Sequence, residues 1–160
     1  MIVVCDSTVL IGLSKIGKLE LLRAVFGQVS IPLAVFTEVA EKGPSRSGAR
    51  SVKEADWIKV TRIKDMSRVS FLLGTLDKGE AEVLARAKES RADLVLVDEE
   101  KARKIAVIAG FEVMGLLGLL LLAKHIGLVE RIGPIIEELR RRSFRISDRI
   151  VSATLKKAGE

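Results

Sequence analysis

Ile2-Val3-Val4-Cys5-Asp6-Ser7-Thr8 and, far downstream, Leu94-Val95-Leu96-Val97-Asp98-Glu99-Glu100 are the two stretches that decide the fold. Each is an unbroken apolar run that ends on a carboxylate. A strand with one wet face would alternate; an uninterrupted run signals a strand covered on both faces, as in a parallel sheet. Working outward, Val9, Leu10, Leu13, Ile16 and Leu19 keep a helical spacing broken at Gly17, and Leu19 to Phe26 resumes it until Gly27, a C-cap. Two consecutive helices are expected there. Val29 to Ile31 reads as a second strand, and Pro32 is placed for the first turn of a helix with Leu33, Phe36, Val39 and Ala40 on its apolar side. Lys42 to Gly48 is the strongest loop signal and is expected to be mobile; a short helix follows over Ala49 to Ala55. Trp57 to Ile63 alternates with a period of two, which predicts a strand with one exposed face, and an edge position is expected for it.

Ser67 to Leu76 predicts a helix, Asp77-Lys78-Gly79 a break, and Glu80 to Ser90 another helix. The helix after Asp98 is expected to end at Gly110, Glu112 to Met114 to form a last strand, and Leu116 to Ile126 an apolar helix closed by Gly127. Basic helices complete the chain over about Pro134 to Arg142 and Ser147 to Lys157. Strands separated by helices predict an α/β fold: one domain over residues 1–160, a three-layer α/β/α sandwich around a central, mostly parallel sheet with right-handed crossovers.

Composition narrows the function classes. The 160 residues carry a net charge of +6, with 48% hydrophobic and 30% charged residues, so the chain should fold and favour polyanionic partners. A single cysteine excludes an internal disulfide framework, and with no signal-peptide pattern at Met1 to Asp6 a cytoplasmic location is expected. Ile105 to Ala123 is interrupted by Glu112 and three glycines, and its uncharged remainder is about half of the roughly 20 residues a membrane span needs, so it reads as core. The absence of asparagine, with Gln28 the one glutamine, fits heat adaptation.

In open parallel sheets, ligands collect outside the carboxyl ends of the strands. Asp6 and Asp98 each end a predicted strand, Glu80 opens the helix leading to the second, and Glu38 lies on the helix after Val29 to Ile31. Two such charges about 4 Å apart repel by on the order of 4 kcal/mol at an effective dielectric near 20. A divalent cation removes that conflict, and carboxylate-only ligation suits Mg²⁺ or Mn²⁺ rather than zinc. The implied chemistry is phosphodiester hydrolysis, with Ser7 or Thr8 supporting Asp6 or a metal-bound water. Each acid also has an ordinary structural use. Asp77 and Glu80 have capping-box spacing, the acids at 98–100 suit a helix N-terminus, Asp6 can cap its own helix, and Glu38 can sit on a solvated face.

Taken together, Val3-Val4-Cys5-Asp6-Ser7-Thr8-Val9-Leu10-Ile11 and Ile31-Pro32-Leu33-Ala34-Val35-Phe36-Thr37-Glu38-Val39 resemble the first two acidic motifs of the PIN-domain family. Gly79-Glu80-Ala81-Glu82-Val83-Leu84-Ala85 and Leu94-Val95-Leu96-Val97-Asp98-Glu99 follow in the family's order. Lys101-Ala102-Arg103-Lys104-Ile105-Ala106 through Gly115-Leu116-Leu117-Gly118 is similar to a subgroup of small prokaryotic PIN proteins without a firmly assigned role. The resemblance implies a metal-dependent endoribonuclease of the VapC toxin type: a homodimer acting on RNA and neutralised by a small antitoxin. Asp6, Glu38, Glu80 and Asp98 would be catalytic and metal-binding. Glu80 stands where many relatives have Asp, Glu82 competes with it, and Glu99 is a possible substitute for Asp98. The other reading is a PIN-fold nucleic-acid- or protein-binding module that performs no chemistry.

Arg46 and Arg50 in the loop, and Lys101, Arg103 and Lys104 after Asp98, are candidate nucleic-acid contacts; Arg140 to Arg142, Arg145 and Arg149 form a denser basic region, otherwise read as a solvated face. Five Phe, one Trp and no Tyr argue against an aromatic single-strand platform. His125 reads as a helix-end residue and Cys5 as a small buried hydrophobe. The Gly115 and Gly118 pair lacks the Gly-Lys-Ser/Thr ending of a phosphate loop. An aspartyl-nucleophile phosphatase would want a second Asp at position 8, where Thr8 stands. The leucines of Leu116 to Leu122 are expected to exceed core needs and to build the dimer interface.

Overall fold

The two apolar runs that end on carboxylates lie side by side, Val3, Val4 and Cys5 registering with Leu94, Val95 and Leu96 in a parallel pair. All six side chains are buried, which is why neither run alternates. The computed structural model describes the backbone of residues 1–42 and 46–160 and the side chains outside 42–48. Along the chain it forms β1 (Val3–Cys5), α1 (Ser7–Lys15), α2 (Glu20–Phe26), β2 (Val29–Pro32), α3 (Leu33–Lys42), α4 (Arg46–Glu54), β3 (Ile58–Thr61) and α5 (Met66–Leu72). There follow α6 (Lys78–Ser90), β4 (Leu94–Leu96), α7 (Glu100–Ile108), β5 (Val113–Met114), α8 (Leu116–His125), α9 (Gly133–Arg141) and α10 (Asp148–Ala158).

The five strands form one parallel sheet in the order β3-β2-β1-β4-β5, covered by helices as a three-layer α/β/α sandwich. Helices α1, α3 and α4 pack on one another, while α6 lies across β1, β2 and β4 with α5 and α7 beside it. Strand order reverses at β1, whose two neighbours continue the chain in opposite directions across the sheet. In such a sheet the carboxyl ends of β1 and β4 are where a ligand site is expected. β3 is at the edge, as expected, but Lys59 and Val60, consecutive and therefore on opposite faces, are both exposed, so the single exposed face that the alternation implies is not what forms.

Several boundaries differ from the sequence reading. Helix α4 starts at Arg46 rather than Ala49, because Ser47 and Gly48, weak helix formers, are helical here; of the expected loop over Lys42 to Gly48, residues 43–45 lie outside the described residues. Pro32 ends β2 opposite Thr61 instead of opening the helix. Helix α5 stops at Leu72, two residues before Gly74. Lys78 and Gly79 are the first turn of α6 rather than a break; first-turn amides have no intrahelical partner to lose, and the Asp77 side chain takes up the Glu80 N–H.

Leu116, Leu119 and Leu120 of α8 are fully buried in the chain's own core, with α10 packed over the helix, so these three are used inside the molecule rather than at a dimer face. Among the described residues no helix is long and apolar enough to cross a membrane. At the far end Glu160 accepts from the Ile132 and Gly133 amides and pairs with Lys124 and Arg131, fixing the start of α9.

Helix α1 is where the parts meet. A side chain added at Gly12 would stand 2.8 Å from the Phe144 ring and 2.9 Å from a Leu116 methyl, so the α9–α10 turn and the first turn of α8 both close on this glycine. Gly12→Ala should overpack that junction and lower stability by about 1–3 kcal/mol, read from the denaturant midpoint at unchanged m-value.

Candidate acidic site

Asp6 follows β1 directly and caps α1. Its amide donates to Leu96 O at 3.0 Å, which locks it to β4, and its Oδ1 accepts from Val9 N–H at 3.0 Å. Only 3% of the residue is exposed. The other oxygen, Oδ2, faces the amide of Asp98 at 3.4 Å, a long contact that places the two aspartates across the gap between β1 and β4. No cation pairs with Asp6 among the described residues. Burial, with the neighbouring Asp98 and Glu80 charges adding to it, pushes its pKa from 3.8 up to about 7, against the pull of the two amides.

Asp98 is held from the opposite side. Both its oxygens accept from Leu116 N–H, at 3.1 and 3.2 Å, so the first amide of α8 fixes the carboxylate. Burial raises its pKa, while the Leu116 amide and Arg103 work the other way. Gly115 makes this possible. Its backbone is extended, so no conformational need calls for glycine, but an added Cβ would collide with Asp98 Oδ1 and lie 2.7 Å from the Arg103 guanidinium. Arg103 donates to Val97 O at 3.4 Å, which turns it toward Asp98.

Glu80 occupies the third helical position of α6 and completes the capping box, its Oε2 accepting from Asp77 N–H at 3.1 Å. Partial burial raises its pKa, and so do the charges of Asp77, Glu99 and Glu38. Glu38 approaches from α3: its Oε2 lies 2.9 Å from where a Gly79 Cβ would be, over the first turn of α6. Asp6, Asp98, Glu80, Glu99 and Glu38 thus form one chain of mutually repelling charges drawn from β1, β4, α6, α7 and α3. Among the described residues, however, no three of these acids are drawn tightly enough to enclose an ion as they stand.

The remaining candidates fall into place around this chain. Glu99 caps α7, accepting from Ala102 N–H at 2.8 Å. Glu82, 6% exposed, accepts from Ala34 N–H at 3.0 Å and so ties α6 to the start of α3. Ser7 is buried and Thr8 half-buried in the first turn of α1. Arg50 pairs with Glu54 and Lys104 with Glu100, Lys101 is exposed, and the side chain of Arg46 lies outside the described residues. Cys5 is fully buried, its thiol pKa raised by that burial and by Asp6 and Asp98, and His125 is exposed at the end of α8. Sequence reasoning did not identify Gly115 and the Leu116 amide as the support of Asp98. The available signal was a glycine between a two-residue strand and an apolar helix, next to the strand that carries Asp98.

The donor set is chemically suited to a hard divalent cation: hard oxygens only, Asp6 deeply buried with no counter-charge among the described residues, and Asp98 beside it. Over residues 2–160 the chain matches the model of a family described as a PIN domain, DUF3368. No curated protein matches it.

Two outcomes follow. A carboxyl whose pKa is raised on folding holds its proton in the native state between pH about 4 and 7, so stability is greatest below that window and falls as pH rises through it. For Asp6 the fall is at most on the order of 4 kcal/mol. In protein stripped of divalent ions, Asp6→Asn, which retains an N-cap side chain, should lose less stability between pH 5 and pH 8 than wild type does in parallel denaturant titrations. Gly115→Ala should displace Asp98 and lower stability by roughly 1–3 kcal/mol, measured the same way.

Proposed function

The chain belongs to the PIN-domain family, and from that premise we propose that it is a metal-dependent endoribonuclease hydrolysing RNA phosphodiester bonds. PIN domains are generally nucleases that bind nucleic acid and typically use divalent metal ions. The observation that carries the reading is the buried Asp6 carboxylate, which has no cationic side-chain partner among the described residues and faces Asp98 at the carboxyl ends of the two central strands.

In this reading Asp6 and Asp98 hold Mg²⁺ or Mn²⁺, with Glu80 and Glu38 completing the set from α6 and α3 and Glu99 the alternative to Asp98. Bound there, the ion supplies an activated water and charge neutralisation at the phosphate. The protein's own contribution is positional. Val9 N–H holds one Asp6 oxygen and leaves the other turned toward Asp98, while Leu116 N–H and the bare Cα of Gly115 hold Asp98 in place. Arg103 stands behind Asp98 and offsets part of the local negative charge. Ser7 and Thr8 lie beside Asp6, where their hydroxyls would orient water. Nothing in this arrangement needs a histidine base.

We extend the proposal to the VapC-like role: a toxin acting as a homodimer and restrained by a small antitoxin. The specific observation favouring the rival, a PIN-fold binding module without chemistry, is that Glu80 is engaged in a capping box and no compact cation group is formed among the described residues. Incubation of a mixed RNA panel with purified protein and Mn²⁺ separates them. We expect cleavage by wild type, reduced at least a hundredfold in Asp6→Asn and abolished by EDTA. RNA binding with no manganese-dependent cleavage would establish the binding module instead.

A further inference from the structure

We propose that the groove between α9 and α10, lined by Arg140, Phe144, Arg145 and Ser147, is the surface on which single-stranded RNA lies beside the acidic site; this rests on the nuclease reading above. A cluster of carboxylates repels a polyanion. Cations must therefore anchor phosphates flanking the scissile bond, and they must do so close by.

The groove supplies such cations. It is a shallow, open depression of about 640 Å³ along the turn that joins the two helices. Between Glu138 and Arg149 the sequence places five arginines against two acids. Those acids are engaged: Glu138 with Arg141 and Arg142, and Asp148 with Arg140 at 2.6 Å. Among the described residues Arg145 and Arg149 have no acidic partner and are exposed, so their guanidinium donors are free for phosphate.

The groove also has a fixed relation to the acids. Phe144 and Leu116 meet at Gly12 of α1, and the amide of that same Leu116 holds Asp98. Lys15 of α1 donates to Arg142 O at 3.2 Å, securing the turn from the other side. Asp6 caps this helix, the turn is fastened to the same helix at Gly12 and Lys15, and Asp98 is held by the Leu116 amide, so the arginines and the acids are mounted on one scaffold. Phosphates, rather than bases, are what the guanidinium row reads, which suits an endonuclease without strong sequence dependence at this face.

The test uses Asp6→Asn protein, so that binding is measured without cleavage, and a fluorescein-labelled mixed-sequence single-stranded RNA followed by anisotropy across a salt series. Arg145→Glu with Arg149→Glu should weaken binding at least tenfold and reduce the slope of log K against log salt by about 1.4, roughly 0.7 for each phosphate no longer neutralised. Asp148→Ser, which releases Arg140, should tighten it. Lys156→Glu with Lys157→Glu, an equal charge change at the other end of α10, should have a much smaller effect, and thermal unfolding verifies that every variant is folded. Equal weakening by both charge reversals, no RNA binding by the Asp6→Asn protein, or binding of polyglutamate in place of RNA would overturn the groove proposal. Absence of manganese-dependent cleavage by wild type, with the groove effects intact, would instead overturn the nuclease reading alone.

Discussion

The structure turns on one unfavourable burial: the Asp6 carboxylate sits at the junction of the two central strands, almost out of contact with water and facing a second aspartate. Folding would ordinarily place such a group at the surface or neutralise it, since an unpaired buried charge costs several kcal/mol. Here the backbone leaves it no choice. Val3 to Cys5 must be buried between β2 and β4, and the next residue emerges at the sheet's carboxyl edge before the chain can turn into α1. The two amide hydrogen bonds soften the cost and the raised pKa records what they leave uncompensated. Parallel pairing of β4 against β1 then brings Asp98 to the same edge by the same logic.

This constraint explains which parts of the molecule were legible in the sequence. Apolar runs such as Val3 to Cys5 and Leu94 to Leu96 are read easily because burial on both faces removes polar residues from every position. The edge position of β3 is legible as well, although its burial does not alternate, because an edge strand leaves both faces partly open. The positions of Asp6 and Asp98 follow, since a residue ending a central parallel strand has one place to go. Boundaries at Gly48, Gly74 and Gly79 were less legible, because glycine's local meaning depends on whether its amide has a helical partner to lose.

The site's support was harder to read still. Gly115 has an ordinary extended backbone, and only the three-dimensional approach of Asp98 and Arg103 explains why no side chain stands there. Arg103 looks in sequence like one of three similar cations after Asp98, yet Lys104 turns to Glu100 and Arg103 turns inward to Val97 O. Likewise Glu80 and Glu82 are two residues apart on a helix and so face different neighbours: one lies in the capping box among the acids, the other grips α3. Periodicity cannot decide which of the two joins the cluster; the packing of α6 on α3 does.

The two uses available to each acid, helix cap and cation ligand, are not competitors in this arrangement. Asp6 caps α1, Glu99 caps α7, Glu80 closes the α6 box, and Asp98 accepts from the first amide of α8. Four helix N-termini therefore each bring a partial positive charge to one of these carboxylates, which offsets part of its repulsion toward its neighbours. A cap also fixes the carboxylate, because an amide hydrogen bond sets its position while using only part of its lone-pair capacity. The capping bonds thus serve as the scaffold that lets mutually repelling acids be held near one another before any ion arrives. Their cost falls mainly on Asp6, the most buried of them, which is where a cation would have most to stabilise.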